Sequence, residues 1–136
     1  MISIRKANRE DIFTIVKFQQ NMAMETESMT LDVEIVRKGV THVFDQPENG
    51  FYLVATENDK VIGSMLLTPE WSDWRNATWL WIQSLYVGIE HREKGVFKSL
   101  YNYIKDVVNR TENYAGLKLY VDQDNERAQE VYKKMG

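Results

Sequence analysis

The stretch that most constrains this chain covers residues 82–105. It opens with the apolar, strand-like run Ile82-Gln83-Ser84-Leu85-Tyr86-Val87 and passes through the basic turn His91-Arg92-Glu93-Lys94-Gly95. It ends in a segment whose apolar residues are Val96, Leu100, Tyr103, Ile104, Val107 and Val108. Those spacings of three and four are helical, so one face of that segment is buried. A strand entering a helix through such a turn points the first N–H groups of the helix at the end of the sheet. Those donors have no partner inside the helix, and the dipole adds partial positive charge, so an anion such as a phosphate is a natural ligand. Arg92, Lys94 and Lys98 stand against the single acid Glu93, a local basic spot in a chain of net charge −3. Gly95 carries no Cβ to keep a ligand off the backbone. A solvated helix start with a glycine in its turn is the other reading of the same residues.

At 136 residues, 43% hydrophobic and 12% aromatic, the chain fits one domain, residues 1–136, with a real core. No apolar run is long enough for a membrane span, and Met1-Ile2-Ser3-Ile4-Arg5-Lys6 lacks the apolar heart of a signal peptide. The absence of Cys removes disulfides and thiolate metal sites and makes a cytoplasmic location the default. His42 and His91 show no ligand-like spacing, so no metal is expected. The acidic balance argues against nonspecific nucleic-acid binding.

Read in order, Ile2 and Ile4 alternate with polar residues as in a short strand. Asn8 and Asp11 form a capping-box pattern before a helix carrying Ile12, Ile15, Val16 and Met22. That helix frays near residues 25–28. Thr30 caps a second helix with Val36, Val40, Val43 and Phe44 inward, which stops before Pro47. Residues 51–56 and 61–67 read as a hairpin around Glu57-Asn58-Asp59-Lys60. Residues 68–76 read as a polar loop holding Trp71 and Trp74, a substrate or subunit contact. A long strand follows at 77–87, with Trp79 and Trp81 packing on the sheet. After the 95–110 helix come a strand at 117–121, with Leu117, Leu119 and Val121 inward, and a last helix capped by Asp124 or Asn125. The central helix crosses over between two parallel strands. The expected fold is α+β, a mixed, mostly antiparallel sheet with helices on both faces.

Arg92-Glu93-Lys94-Gly95-Val96-Phe97 resembles the Arg/Gln-x-x-Gly-x-Gly/Ala turn of the GNAT N-acetyltransferases, which holds the pyrophosphate of acetyl-CoA. Phe97 departs from the small last residue of that motif, so its side chain must point away from the ligand. Asn125, Ala128 and Tyr132 resemble the Asn-x-x-Ala-x-x-x-Tyr of the family's last helix. The element order is similar over nearly the whole chain. GNAT domains continue with two more strands, which this chain lacks. Its strand at 117–121 would be a bare edge, so either the chain is truncated or another subunit supplies the missing strands, and a homodimer is expected.

The resemblance implies an N-acetyltransferase that passes the acetyl group of acetyl-CoA to a primary amine by direct attack, with no Cys or Ser nucleophile. Leu85, Tyr86 and Val87 would offer backbone N–H groups to the acetyl carbonyl and pantetheine arm. Arg92, Glu93, Lys94, Gly95, Val96, Phe97 and Lys98 would form the phosphate turn. Asn125 would contact the coenzyme arm or cap its helix. Tyr132 would protonate the leaving thiolate, or pack in the core with Val131 and Met135. Many relatives place a Glu two or three positions before the Leu-Tyr-Val segment; here Ile82 and Gln83 stand there, followed by Ser84, and none is a base. Glu25 and Glu27 read as solvated helix-end charges, with a water-mediated base as the other possibility. A non-catalytic acyl-CoA-binding or regulatory domain is the alternative function, and a ligand-free interaction module the third.

Overall fold

A computed structural model describes residues 1–119 of the chain. The expected last helix, with Asn125, Ala128 and Tyr132, lies outside the described residues, as does Val121. Strand β1, Ser3–Lys6, leads into a single turn at Arg9–Asp11. The Asn8 side chain accepts the Glu10 N–H there, and Asp11 accepts the Asn8 N–H at 2.8 Å. This is the reciprocal cap expected from the sequence. Arg5 adds two bonds to the same carboxylate, at 2.7 and 3.1 Å, tying β1 to the start of helix α1, Ile12–Glu27. Helix α2 is Val33–Asp45. Its cap is Asp32 rather than Thr30: the Asp32 carboxylate accepts the N–H groups of Glu34 and Ile35, which Thr30 stands too early to reach.

Strands β2 (Phe51–Glu57) and β3 (Lys60–Ser72) form a hairpin whose corner residues, Asn58 and Asp59, have φ of 52° and 63°. Two successive left-handed residues twist the turn with the strands, which suits a two-residue connection. β3 runs five residues beyond its expected end, so Pro69, Glu70 and Trp71 lie on a strand and only residues 73–76 form the loop. The β2 pairing stops at Leu67, so beyond that point β3 has no β2 partner and Pro69 costs no ladder bond on that side. β4 is Ala77–Val87, helix α3 is Val96–Arg110, and β5 is Tyr114–Leu119. β5 begins three residues earlier than expected.

Among the described residues five strands order as β1-β2-β3-β4-β5, antiparallel except for the parallel β4–β5 pair that α3 connects. Strand β2 is buried on both faces. Leu53 and Ala55 face the α3 side with Met65, Leu67, Leu100 and Ile104. Tyr52 and Val54 face α1 and α2 with Ile15, Val16 and Val40. Each fully buried aliphatic side chain contributes about 1.5–3 kcal/mol relative to exposure. Among the described residues no helix is long and apolar enough to cross a membrane.

Candidate functional site

The site begins with an irregularity in β4. Leu66 pairs with Ser84 but Leu67 pairs with Ile82, so Gln83 is an extra, bulged residue. Its side-chain amide donates to Thr68 Oγ1 at 2.9 Å. Before the bulge, Leu80 and Ile82 face α3; after it, Leu85 and Val87 do. One inserted residue thus reverses the alternation and turns Tyr86 toward α1, where its ring lies 5.1 Å from that of Phe18. Among the described residues β5 pairs with β4 only as far as Ile82, so the last strand segment has no β5 partner there.

After β4, a short turn at Ile89–His91 delivers Arg92. Glu93 and Gly95 both take left-handed backbones, with φ of 63° and 84°, and reverse the chain into α3. Gly95 is the N-cap of α3 and supplies no side-chain cap. A Cβ built on it meets nothing within 4 Å among the described residues, which leave the helix end open. The first intrahelical bond runs from the Ser99 N–H to the Gly95 carbonyl. Phe97 packs partly against the α3-side core and lies edge-on to Tyr101, with centroids 6.2 Å apart.

The end of α1, the end of β4 and the first turn of α3 enclose a cavity of about 790 Å³. Met22, Glu25 and Thr26 form its α1 wall. Glu25 ties the walls together. Its carboxylate accepts the Tyr86 hydroxyl at 2.6 Å and the Arg92 guanidinium at 2.5 Å. Arg92 also donates through Nε to the Val87 carbonyl at 2.9 Å and lies 5.3 Å from the centre of the Tyr86 ring. The Tyr86 bond first, and Arg92 second, hold the Glu25 carboxyl below its ordinary range. Burial, and then the bond to Glu25, push the Tyr86 phenol up. The cavity also reaches His91, whose Nδ1 is buried without a hydrogen-bond partner among the described residues. Among those residues Lys94 and Lys98 form no ion pair.

Leu85, Tyr86, Val87, Arg92, Glu93, Gly95, Val96, Phe97 and Lys98, all singled out from the sequence, line this one cavity. Lys94 belongs to the same turn but not to the lining. Asn125 and Tyr132 lie outside the described residues. Sequence reasoning considered Glu25 but missed its partners, Tyr86 and Arg92, which are 61 and 67 residues away. It is more than the solvated helix-end charge its position suggested. The bulge at Gln83 left no sign in the residues. Trp71 and Trp74 are 63% and 95% exposed, but far along the β3–β4 hairpin rather than at the cavity. Trp79 and Trp81 are half-buried on the sheet, with the Lys118 ammonium 4.8 and 5.3 Å from their rings.

The acetyltransferase (GNAT) family matches residues 17–136. A possible acetyltransferase from Clostridium difficile 630 shares 44% identity, with a TM-score of 0.93 over 99% of this chain and 89% of that one. A ribosomal-protein-alanine N-acetyltransferase from Brucella melitensis biovar Abortus 2308 has the same fold at 16% identity, TM-score 0.78, covering 98% of this chain and 89% of that one. So does an aminoglycoside acetyltransferase from an uncultured soil metagenomic sample, in complex with sisomicin, at 14% identity and TM-score 0.77, over 98% and 86% of the two chains. No curated protein matches the chain. The fold and these matches define an acetyltransferase. The chain belongs to the acetyltransferase (GNAT) family.

Proposed function

We propose that this acetyltransferase uses acetyl-CoA and delivers the acetyl group to a primary amine by direct attack. The observation that carries the reading is the convergence of the open first turn of α3, the basic turn before it and the end of β4 on one cavity. About 790 Å³ lies within the range usual for sites that hold a small molecule or cofactor. The coenzyme, when bound, would supply a thioester whose carbonyl carbon the neutral amine nitrogen attacks, forming an amide, releasing a thiolate and giving up one amine proton to solvent. The backbone of Val96, Phe97 and Lys98, with the dipole of α3 behind it, faces the diphosphate; Arg92, Lys94 and Lys98 add charge. The Leu85, Tyr86 and Val87 backbone aligns the pantetheine arm and polarises the acetyl carbonyl. Glu93 contributes its left-handed backbone to the turn. Asn125 fixes the coenzyme arm. Tyr132 gives its hydroxyl proton to the departing sulfur; a phenol with a reference pKa near 10 stays protonated at neutral pH until then.

The test is thiol release from acetyl-CoA across a panel of primary amines, for the parent and Tyr132→Phe. The expected outcome is turnover by the parent and a kcat lower by roughly 10²-fold in the variant, with coenzyme affinity retained. Coenzyme binding without turnover on any amine would favour the non-catalytic alternative. A Tyr132→Phe enzyme at the parent rate, with chemistry rate-limiting, would remove Tyr132 from the reaction.

A further inference from the structure

Of the basic side chains in the turn before α3, Arg92 alone is engaged by a carboxylate among the described residues, and that carboxylate comes from another element. Glu25 stands two residues before the end of α1, in the wall of the cavity. We infer that Glu25 is an internal competitor for the anion site: it holds the Arg92 guanidinium that a diphosphate would use, and coenzyme binding exchanges the one anion for the other. The inference rests on the coenzyme reading above.

Three features separate competition from simple positioning. Arg92 is oriented without Glu25, because its Nε bonds the Val87 carbonyl and its guanidinium lies over the Tyr86 ring. The ion pair is half-open to solvent, with side-chain exposures of 40% for Arg92 and 36% for Glu25, so breaking it strands no buried charge. Glu25 also keeps a second partner, the Tyr86 hydroxyl, when Arg92 turns away. A glutamine at position 25 would still accept that hydroxyl while removing the negative charge beside the diphosphate. A negative charge thus sits in the cavity wall, on the cation that an anionic ligand would use.

The experiment is calorimetric titration of coenzyme A into the whole chain, its Glu25→Gln and Arg92→Gln variants and the double variant, at low and high salt. We expect Glu25→Gln to bind roughly 3–10-fold more tightly at low salt, with the gap closing as salt is raised. In the Arg92→Gln background the same change should have less than about a twofold effect, because the competed group is gone. Glu25→Asp, too short to span Arg92 and Tyr86 together, provides a second test and should shift affinity the same way. Affinity unchanged or weakened in both position-25 variants, with their melting temperatures preserved, would overturn the inference and make Glu25 a positioning residue. Absence of coenzyme A binding in the parent and the variants would overturn the coenzyme reading with it. Parent binding with no effect at position 25 would overturn this inference alone.

Discussion

Replacing Gly95 by Ala separates the stability of the turn from its use. Gly95 has φ 84°, where an L-residue with a Cβ costs about 1–2 kcal/mol. Among the described residues an added Cβ meets no atom within 4 Å, so the fold pays only this conformational cost. For a chain of this length the melting temperature should fall by roughly 3–8 °C. Ligand binding should suffer separately, because the new methyl projects into the open end of α3. Keeping a diphosphate off one N–H group removes a charge-assisted hydrogen bond, about 1.5–3 kcal/mol, or roughly 10–150-fold in Kd. Scanning fluorimetry without ligand and calorimetry with coenzyme A, on the same preparation, measure the two effects. A variant that melts as expected yet binds coenzyme A with parental affinity would refute phosphate contact at this turn.

Two further outcomes test the scaffold. Burial pushes the Asp11 carboxyl up, but the Arg5 guanidinium and the Asn8 N–H outweigh it and hold the group below its usual 3.8. Its contribution is therefore present above that value and is lost as pH falls through the lowered folded value. Asp11→Asn should cost about 1–3 kcal/mol at neutral pH and flatten the acid limb of the stability curve, read by urea unfolding from neutral pH to about pH 2; an unchanged acid limb would show that the pair does not form. Leu100→Ala, at a fully buried position packed under the sheet, should cost about 2–5 kcal/mol, while Phe13→Ala, 81% exposed, should stay within about 0.5 kcal/mol by the same assay.

Much of this architecture was legible because its causes are local. The Asn8–Asp11 cap is a short-range pattern, and the period of Val96, Leu100, Ile104 and Val108 places α3 without tertiary information. β4 occupies the span its apolar residues indicated. What escaped depends on distant partners. Thr68-Pro69-Glu70 looks like a loop; it continues as a strand because β4 supplies a ladder over residues 77–82. β5 starts early through Ala115 and Gly116, poor strand formers, because Tyr114 and Gly116 pair with Thr78 and Trp79 of β4; a Cβ at Gly116 would lie 2.7 Å from the Trp79 ring, so glycine fits beside it. The residues around Arg92 were legible as one cluster, and most of them line one cavity. That Arg92 already holds a carboxylate was not legible, since Glu25 meets it only after the Gln83 bulge has turned Tyr86 toward α1.

The most direct test of the account is a crystal structure of the chain with coenzyme A. The account predicts the diphosphate against the backbone of residues 95–98, at hydrogen-bonding distance from the first N–H groups of α3, with the pantetheine arm running along Leu85, Tyr86 and Val87. Coenzyme A bound in any other part of the molecule, with this cavity filled by solvent alone, would contradict it.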